Sequence, residues 1–329
     1  MRRWVVLSTA TALVGCNSTP LGYLEGSGSR SGDLLQSLAW GFLAIAVAVI
    51  LIIAALIVAA TQRARRRAAR SAPDDVGREG GGVSAIYWGV GLSIPVLIAM
   101  AIWNFVSVQA VATPPHEPGL AVSVTGHRWW WEVDYQSAQP FGTLRTANEL
   151  VIPTGVPVRL DLESADVIHD FWVPKLGPKM DMIPGRTNHS WIEADRPGTY
   201  RGQCAEFCGA EHGRMSFVVH AVPRAEFEAW LDHQRQPAST GGPAQEIFEA
   251  KCGACHEVRG TSAAGIFGPD LTHVGSRTTL AAAMMRNTPR NLALWLGDTQ
   301  GIKPGAEMPQ TKLDPVERAQ LVGWLEALK

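Results

Sequence analysis

Two thiols, an imidazole and a thioether crowd into one short stretch of this 329-residue chain. Cys204, Cys208, His212 and Met215 follow the spacing Cys-x3-Cys-x3-His-x2-Met, inside Gln203-Cys204-Ala205-Glu206-Phe207-Cys208-Gly209-Ala210-Glu211-His212-Gly213-Arg214-Met215. Thiolates four residues apart can bridge a pair of metal ions from one tight loop, with the His and the Met reaching the same loop from its far side. Soft and borderline donors of this kind select copper over magnesium or calcium. Structural zinc rarely takes a Met, so zinc fits less well. Taken singly, two such Cys in an exported domain are more often a disulfide and a Met is more often core; four soft donors within twelve residues outweigh both readings. A pair of coppers needs one more nitrogen, and His169 in Val167-Ile168-His169-Asp170-Phe171-Trp172 is the best source.

A second chemistry lies downstream. Cys252-Gly253-Ala254-Cys255-His256 is the c-type haem attachment pattern, in which both thiols add to the haem vinyl groups and His256 becomes the proximal iron ligand. With Cys16 in a signal-type segment, all five cysteines then have an assignment and none is left for a structural disulfide.

These residues carry two resemblances. The copper stretch, His169, Gly126-His127-Arg128-Trp129-Trp130-Trp131 and Leu176-Gly177-Pro178-Lys179-Met180-Asp181-Met182-Ile183-Pro184-Gly185-Arg186 resemble the CuA domain of cytochrome c oxidase subunit II. The haem segment resembles cytochrome c, so the whole is similar to subunit II of caa-type oxidases, where the two are fused. The first resemblance implies copper ligands His169, Cys204, Cys208, His212 and Met215, with the backbone carbonyl of Glu206, and a possible magnesium ion on the Glu206 side chain where it faces subunit I. It implies that Trp129 receives electrons, although a tryptophan in a Trp-Trp-Trp run serves equally as packing over the copper loops. The second resemblance implies that the Pro269 carbonyl in Gly268-Pro269-Asp270-Leu271 orients His256. It makes Trp295 part of the haem environment, and gives Met308 in Lys303-Pro304-Gly305-Ala306-Glu307-Met308-Pro309 as the sixth ligand. Met284 and Met285 compete for that role but sit in a helix-like Ala-rich run. One position departs from the family: where it often carries a Glu three residues before a Trp, ahead of Trp88 stands Ala85, which leaves proton uptake through this subunit without its carboxylate.

The elements that must position this chemistry follow in order. Residues 1–15 read as a lipoprotein-type signal peptide, basic at Met1-Arg2-Arg3, too short in its apolar run to span a bilayer, and ending in Leu13-Val14-Gly15-Cys16, which leaves Cys16 as the lipidated N-terminus. Residues 16–33 are a Gly/Ser-rich flexible tether. Residues 34–112 form a two-helix transmembrane anchor whose connecting loop, 61–82, carries Arg63, Arg65, Arg66, Arg67 and Arg70; the arginines put that loop in the cytoplasm and both flanks outside. Alternating runs at Ala121-Val122-Ser123-Val124-Thr125, at 156–162 and at 216–222 predict a small antiparallel β-barrel or sandwich over 113–236, closed by a helix at 227–234; by resemblance it is cupredoxin-like. Residues 237–243 are a linker, and 244–329 an all-α class I cytochrome c domain. There Asp314-Pro315-Val316-Glu317 supplies an N-cap, a Pro at the first helical position and an acid at the third, ahead of a helix with Leu321, Trp324, Leu325 and Leu328 on one face.

Net charge is −1, so nothing points to nucleic acid, but the copper segment 116–236 has 16 acidic against 11 basic side chains, a surface that suits a basic partner. The implied route runs from cytochrome c or another periplasmic donor to the haem, then to the copper pair, then to haem a in subunit I, with subunit III as a further partner, in a bacterial inner membrane. Nothing in this chain can reduce oxygen. The copper loop would also suit a CuA-containing nitric oxide reductase or a membrane-tethered carrier. A nitrous oxide reductase would need a large repeat propeller that the chain lacks. The signal reading has a direct check: intact-mass analysis of the mature chain should find an acylated N-terminus at Cys16, and a chain still beginning at Met1 would refute it.

Overall fold

The computed structural model describes residue 22 and residues 28–69, 82–136, 144–239 and 241–329. Cys16, the signal segment, most of the tether and Arg70 lie outside the described residues.

Two long helices, α1 (Arg30–Ala68) and α2 (Gly82–Ala112), are apolar enough to cross a membrane. Their large apolar side chains, such as Ile50, Leu51, Leu92 and Phe105, are turned outward, as a bilayer requires and water forbids. The two pack where Gly41 leaves room for the Trp103 ring, which also meets Phe42 edge-on at 5.8 Å. The anchor is longer than its sequence boundaries: α1 begins at Arg30 and runs through the arginines to Ala68, because these residues are good helix formers and favour the negative end of the helix dipole. The part of the tether nearest α1 is docked. Gly28 donates to the Lys175 carbonyl at 3.2 Å, and Ser29 both caps α1 and reaches the carbonyls of Lys175 and Leu176. Trp191 ties down the end of α2 by donating to the Val111 carbonyl at 2.9 Å. The start of α1 and the end of α2 therefore meet the same domain, and the arginines lie at the opposite end of the span.

Among the described residues ten strands follow: β1 (Leu120–His127), β2 (Trp130–Tyr135), β3 (Leu144–Ala147), β4 (Glu149–Pro153), β5 (Val158–Ser164), β6 (His169–Trp172), β7 (Met180–Met182), β8 (Asn188–Ile192), β9 (Gly198–Cys204) and β10 (Ser216–Val222), closed by α3 (Arg224–Arg235). They form two five-stranded sheets, ordered β3-β2-β1-β5-β8 and β4-β10-β9-β6-β7. The sandwich is mixed rather than wholly antiparallel, since β1 runs parallel to β5 and β4 to β10. Between the sheets lies a dry core in which Trp131, Phe171 and Phe217 pack with ring centroids 4.7 to 6.1 Å apart.

The C-terminal domain holds α4 (Pro243–Lys251), the two-residue strands β11 (Thr279–Leu280) and β12 (Met285–Arg286), α5 (Pro289–Gly297), α6 (Thr299–Ile302) and α7 (Pro315–Ala327). The Asp314–Glu317 capping box is formed. The run Ala281–Ala283 is not helical as expected. All three residues take positive φ, 54° to 60°, a left-handed turn that reverses the chain between β11 and β12. Nor does the linker float. Ala238 is buried in the C-terminal core and donates to the Arg259 carbonyl at 3.0 Å, and Arg259 reaches back to the Gln234 carbonyl at 2.6 Å.

The two exported domains are thus docked on one another. At one end of the contact, buried Glu149 accepts from the amides of Thr278 and Thr279, at 2.9 and 2.7 Å, and from both hydroxyls. Burial alone would raise the Glu149 pKa; hydrogen bonds from His220, Thr279 and Thr278 more than reverse that and hold it below the ordinary 4.5. Stability from such a group is complete above 4.5 and is lost as pH falls through the lower folded value. Exchange of the Thr278 and Thr279 amides, corrected for intrinsic rate, should be slow at neutral pH and speed up below that point. In Glu149→Ala it should be fast and insensitive to pH; persistent protection in the variant would show that the carboxylate does not hold the contact.

Candidate copper and haem centres

The copper loop joins β9 to β10, adjacent strands of one sheet. Alternation along β9 turns Tyr200, Gly202 and Cys204 inward, and Gly202 has no side chain because the Phe217 ring fills that space. Pairing of β6 with β9 sets Phe171 opposite Cys204 and brings His169 in from the neighbouring strand. Gly126 on β1 makes room for it: a Cβ there would stand 2.8 Å from the imidazole.

The donors expected from sequence converge. The sulfurs of Cys204 and Cys208 stand 3.8 Å apart as free thiols. His169 Nδ1 is 3.9 Å from Cys204, His212 Nδ1 is 3.6 Å from Cys208, Met215 Sδ is 3.8 Å from Cys208, and the Glu206 carbonyl is 3.2 Å from Cys204. His169, Cys204 and Cys208 offer atoms that all lie within 4.8 Å of one another, and His169 and Met215 are fully shut off from solvent. This donor set and spacing fit two soft metal ions. The thiols hold their protons unequally. A hydrogen bond from Cys208 lowers the Cys204 pKa against the cost of burial, with His169 adding to it, whereas Cys208 is pushed up by the same partner.

Asp166 was not singled out from the sequence. Its Oδ1 lies 2.8 Å from His169 Nε2, leaving Nδ1 to face the sulfurs, the carboxylate–histidine arrangement that fixes a ligand's tautomer. Its signal was available as an acid three residues before His169. Burial disfavours charge on His169, but Asp166 and then Cys204 outweigh it and raise its pKa. The Glu206 side chain points outward beside Phe207, which is 76% exposed. Ala85 lies in the first turn of α2.

In the C-terminal domain a cavity of about 310 Å³ opens beside Cys252, Cys255 and His256. Met308, Pro269 and Trp295 line it, and neither Met284 nor Met285 does. His256 Nδ1 stands 2.8 Å from the Pro269 carbonyl, which leaves Nε2 as the free nitrogen. Burial lowers the His256 pKa, keeping the imidazole neutral and able to ligate. Burial likewise pushes the Cys252 thiol up to about 11. Gln300, also missed in the sequence, shapes the Met308 loop: its Nε2 reaches the carbonyls of Ala306 and Met308 at 2.8 and 2.7 Å. An apolar cavity with two thiols at its rim and a free imidazole and a thioether in its wall fits a covalently held haem.

Trp129 belongs to both sites. It lines the cavity, is 8% exposed, and donates from Nε1 to the Cys208 carbonyl at 3.0 Å. Two glycines with positive φ admit the ring. A Cβ on Gly209 of the copper loop would lie 3.0 Å from it, and one on Gly305 of the Met308 loop 3.6 Å.

Comparison with known proteins agrees with this division. Residues 137–222 match the family described as cytochrome c oxidase subunit II, periplasmic domain, and residues 243–329 match cytochrome c. The chain is 34% identical to cytochrome c oxidase subunit 2 of Alkalihalophilus pseudofirmus, over 74% of this chain and 72% of that protein. It is 32% identical to the Bacillus subtilis protein of the same name, over 65% and 63% of the two chains. Among solved structures, the periplasmic domain of subunit II (CoxB) of Bradyrhizobium japonicum is 31% identical, covering 36% of this chain and 96% of that one, with a TM-score of 0.34.

The geometry at His169 has a consequence. Asp166→Ala should weaken copper binding roughly 10–100-fold, since the ring loses the group that orients it. Chelator competition, with haem content as the internal standard, measures it. An unchanged affinity would mean that packing alone holds the ring.

Proposed function

The chain belongs to the cytochrome c oxidase subunit II family, and from that premise we propose how its two exported halves pass electrons inward. As such a subunit it serves a haem–copper oxidase, carries a binuclear copper centre and a covalent haem c, and works beside the oxidase subunit that reduces oxygen. His169, Cys204, Cys208, His212 and Met215, with the Glu206 carbonyl, would hold the coppers. Cys252 and Cys255 would carry the haem and His256 and Met308 would ligate its iron, with Trp295 in the cavity wall. When bound, these groups supply reversible one-electron chemistry, with the Met/His pair favouring a high haem potential.

The chain's own residues do the rest. Pro269 and Gln300 hold the two sides of the haem cavity, and Asp166 holds the tautomer of His169. The two-sheet core keeps water from the sulfurs, so little has to rearrange when the charge changes. Trp129 carries the reading. It borders the haem cavity, bonds to the Cys208 carbonyl and is covered by the C-terminal domain, so it serves as an internal bridge and not as a dock for a soluble carrier. A periplasmic donor, cytochrome c or a similar carrier, therefore meets the haem domain first. The outward Glu206 and Phe207, with half-exposed Ile168, form the face toward subunit I, where the Glu206 carboxylate would take a magnesium ion. Subunit III completes the complex. The anchor sits in the bacterial cell membrane with both exported domains outside, and Cys16 adds a lipid.

Stopped-flow reduction by a soluble c-type cytochrome separates the steps. Trp129→Phe should leave haem reduction at the wild-type rate while copper reduction lags by about tenfold or more, as expected when a bridging group is lost. Met308→Ala should keep the haem attached but slow the donor step. A copper pair reduced in Trp129→Phe as fast as in wild type would mean that electrons reach it by another way.

A further inference from the structure

One side chain threads the contact between the two redox domains. Lys303 opens the loop that carries Met308, and although charged it is only 3% exposed. Its Nζ donates to the Trp129 carbonyl at 2.7 Å, the Arg214 carbonyl at 3.0 Å and, more weakly, the Ala281 carbonyl at 3.4 Å. The first acceptor belongs to the residue whose indole stands between the haem cavity and the copper loop. The second precedes Met215. The third lies in the left-handed turn of the C-terminal domain. Three N–H donors meet three carbonyls, so the ammonium is saturated. Arg214 returns the contact by donating from Nη1 to the Ile302 carbonyl at 3.1 Å. Burial lowers the Lys303 pKa to about 8, which leaves it protonated at neutral pH.

Burying an ammonium is costly, and here the attraction of the buried Glu211 carboxylate offsets only part of the cost, since the pKa is still lowered. Adhesion alone does not call for it, because Glu149 with Thr278 and Thr279, and Arg259 with the Gln234 carbonyl, already join the domains elsewhere. What distinguishes Lys303 is where its bonds go: to the main chain on either side of the route between the two centres.

We propose that Lys303 is a positioning residue for electron transfer within the chain, its ammonium fixing the Trp129 main chain against Arg214 and the Met308 loop so that the indole keeps its seat between the haem cavity and the Cys208 carbonyl. This rests on Trp129 being the internal bridge; the single electron gained at the copper pair is the one lost at the haem, and no bond or proton changes.

The test uses the assembled oxidase with haem and copper in place. Lys303→Met, Trp129→Phe, their double variant and Glu149→Gln are compared by the rate of copper reduction after the haem is reduced, by both absorption spectra and potentials, and by hydrogen exchange over residues 127–131 and 278–279. Lys303→Met should slow the internal step roughly tenfold or more, beyond what the measured shift in copper potential from the lost charge near Cys208 accounts for, with both spectra unchanged. It should loosen exchange at 127–131 but not at 278–279, and add no further loss in the Trp129→Phe background. Glu149→Gln should run at the wild-type rate. If Trp129→Phe is slow and Lys303→Met is not, the lysine has no positioning role, though the bridge stands. If Glu149→Gln slows the step as much as Lys303→Met does, or the two losses add in the double variant, Lys303 is only adhesive. A wild-type rate in Trp129→Phe overturns the bridge and this role together. Should Lys303→Met lose haem or copper, Lys303→Gln, which keeps a shorter donor, is read by the same criteria.

Discussion

The copper loop depends on the register of β9. Its last residue, Cys204, donates from its amide to the Met215 carbonyl at 2.9 Å, and this bond joins the first and last soft donors of the loop. On one side β9 pairs with β10, Gln203 opposite Ser216; on the other it pairs with β6, Phe171 opposite Cys204. A slip of one residue would turn Cys204 to the outer face and separate it from His169 and Cys208. What penalises that slip is the space over Gly202: the Phe217 ring fills it, and a one-residue shift would drive the side chain of Arg201 or Gln203 into that ring.

The second centre is placed on the first largely through main-chain groups. The Ser216 amide donates to the Ala282 carbonyl at 3.2 Å, Arg201 to the Ala283 carbonyl at 3.3 Å, and Lys303 and Arg214 to carbonyls across the boundary. Three consecutive left-handed alanines present their carbonyls outward in a way that a right-handed helix, with carbonyls spent on its own ladder, does not. Ala238 of the short segment between the domains is itself buried, so the haem domain is held by a surface and is not confined merely by the length of its tether.

The anchor is hydrogen-bonded to the copper domain at both of its outer ends. Ser29 caps α1 with one lone pair while its hydroxyl reaches the copper domain, and Trp191 accounts for a carbonyl at the end of α2. The start of α1 thus satisfies carbonyls of the domain, while the domain satisfies a carbonyl at the end of α2.

The chemistry was legible in the sequence because it is local. Cys204 to Met215 and Cys252 to His256 are contiguous, and their donor types limit the metal and the haem before any fold is known. The membrane spans, most strand positions and the Asp314 cap were legible for the same reason, since apolar length, alternation and capping are properties of neighbours in the chain. What neighbours cannot encode came only from tertiary structure. The parallel pairs β1–β5 and β4–β10 depend on how distant strands stack. The Ala281–Ala283 run has a helical composition, but the carbonyl acceptors it offers to Ser216 and Arg201 favour a left-handed turn over its intrinsic propensity. Pro237 to Pro243 reads as linker by composition, yet Ala238 is buried because Arg259 and the C-terminal core receive it. Lys303 is an ordinary lysine in sequence; that it is buried against Trp129, 174 positions away, follows from the docking of two domains, a long-range contact that no local pattern specifies.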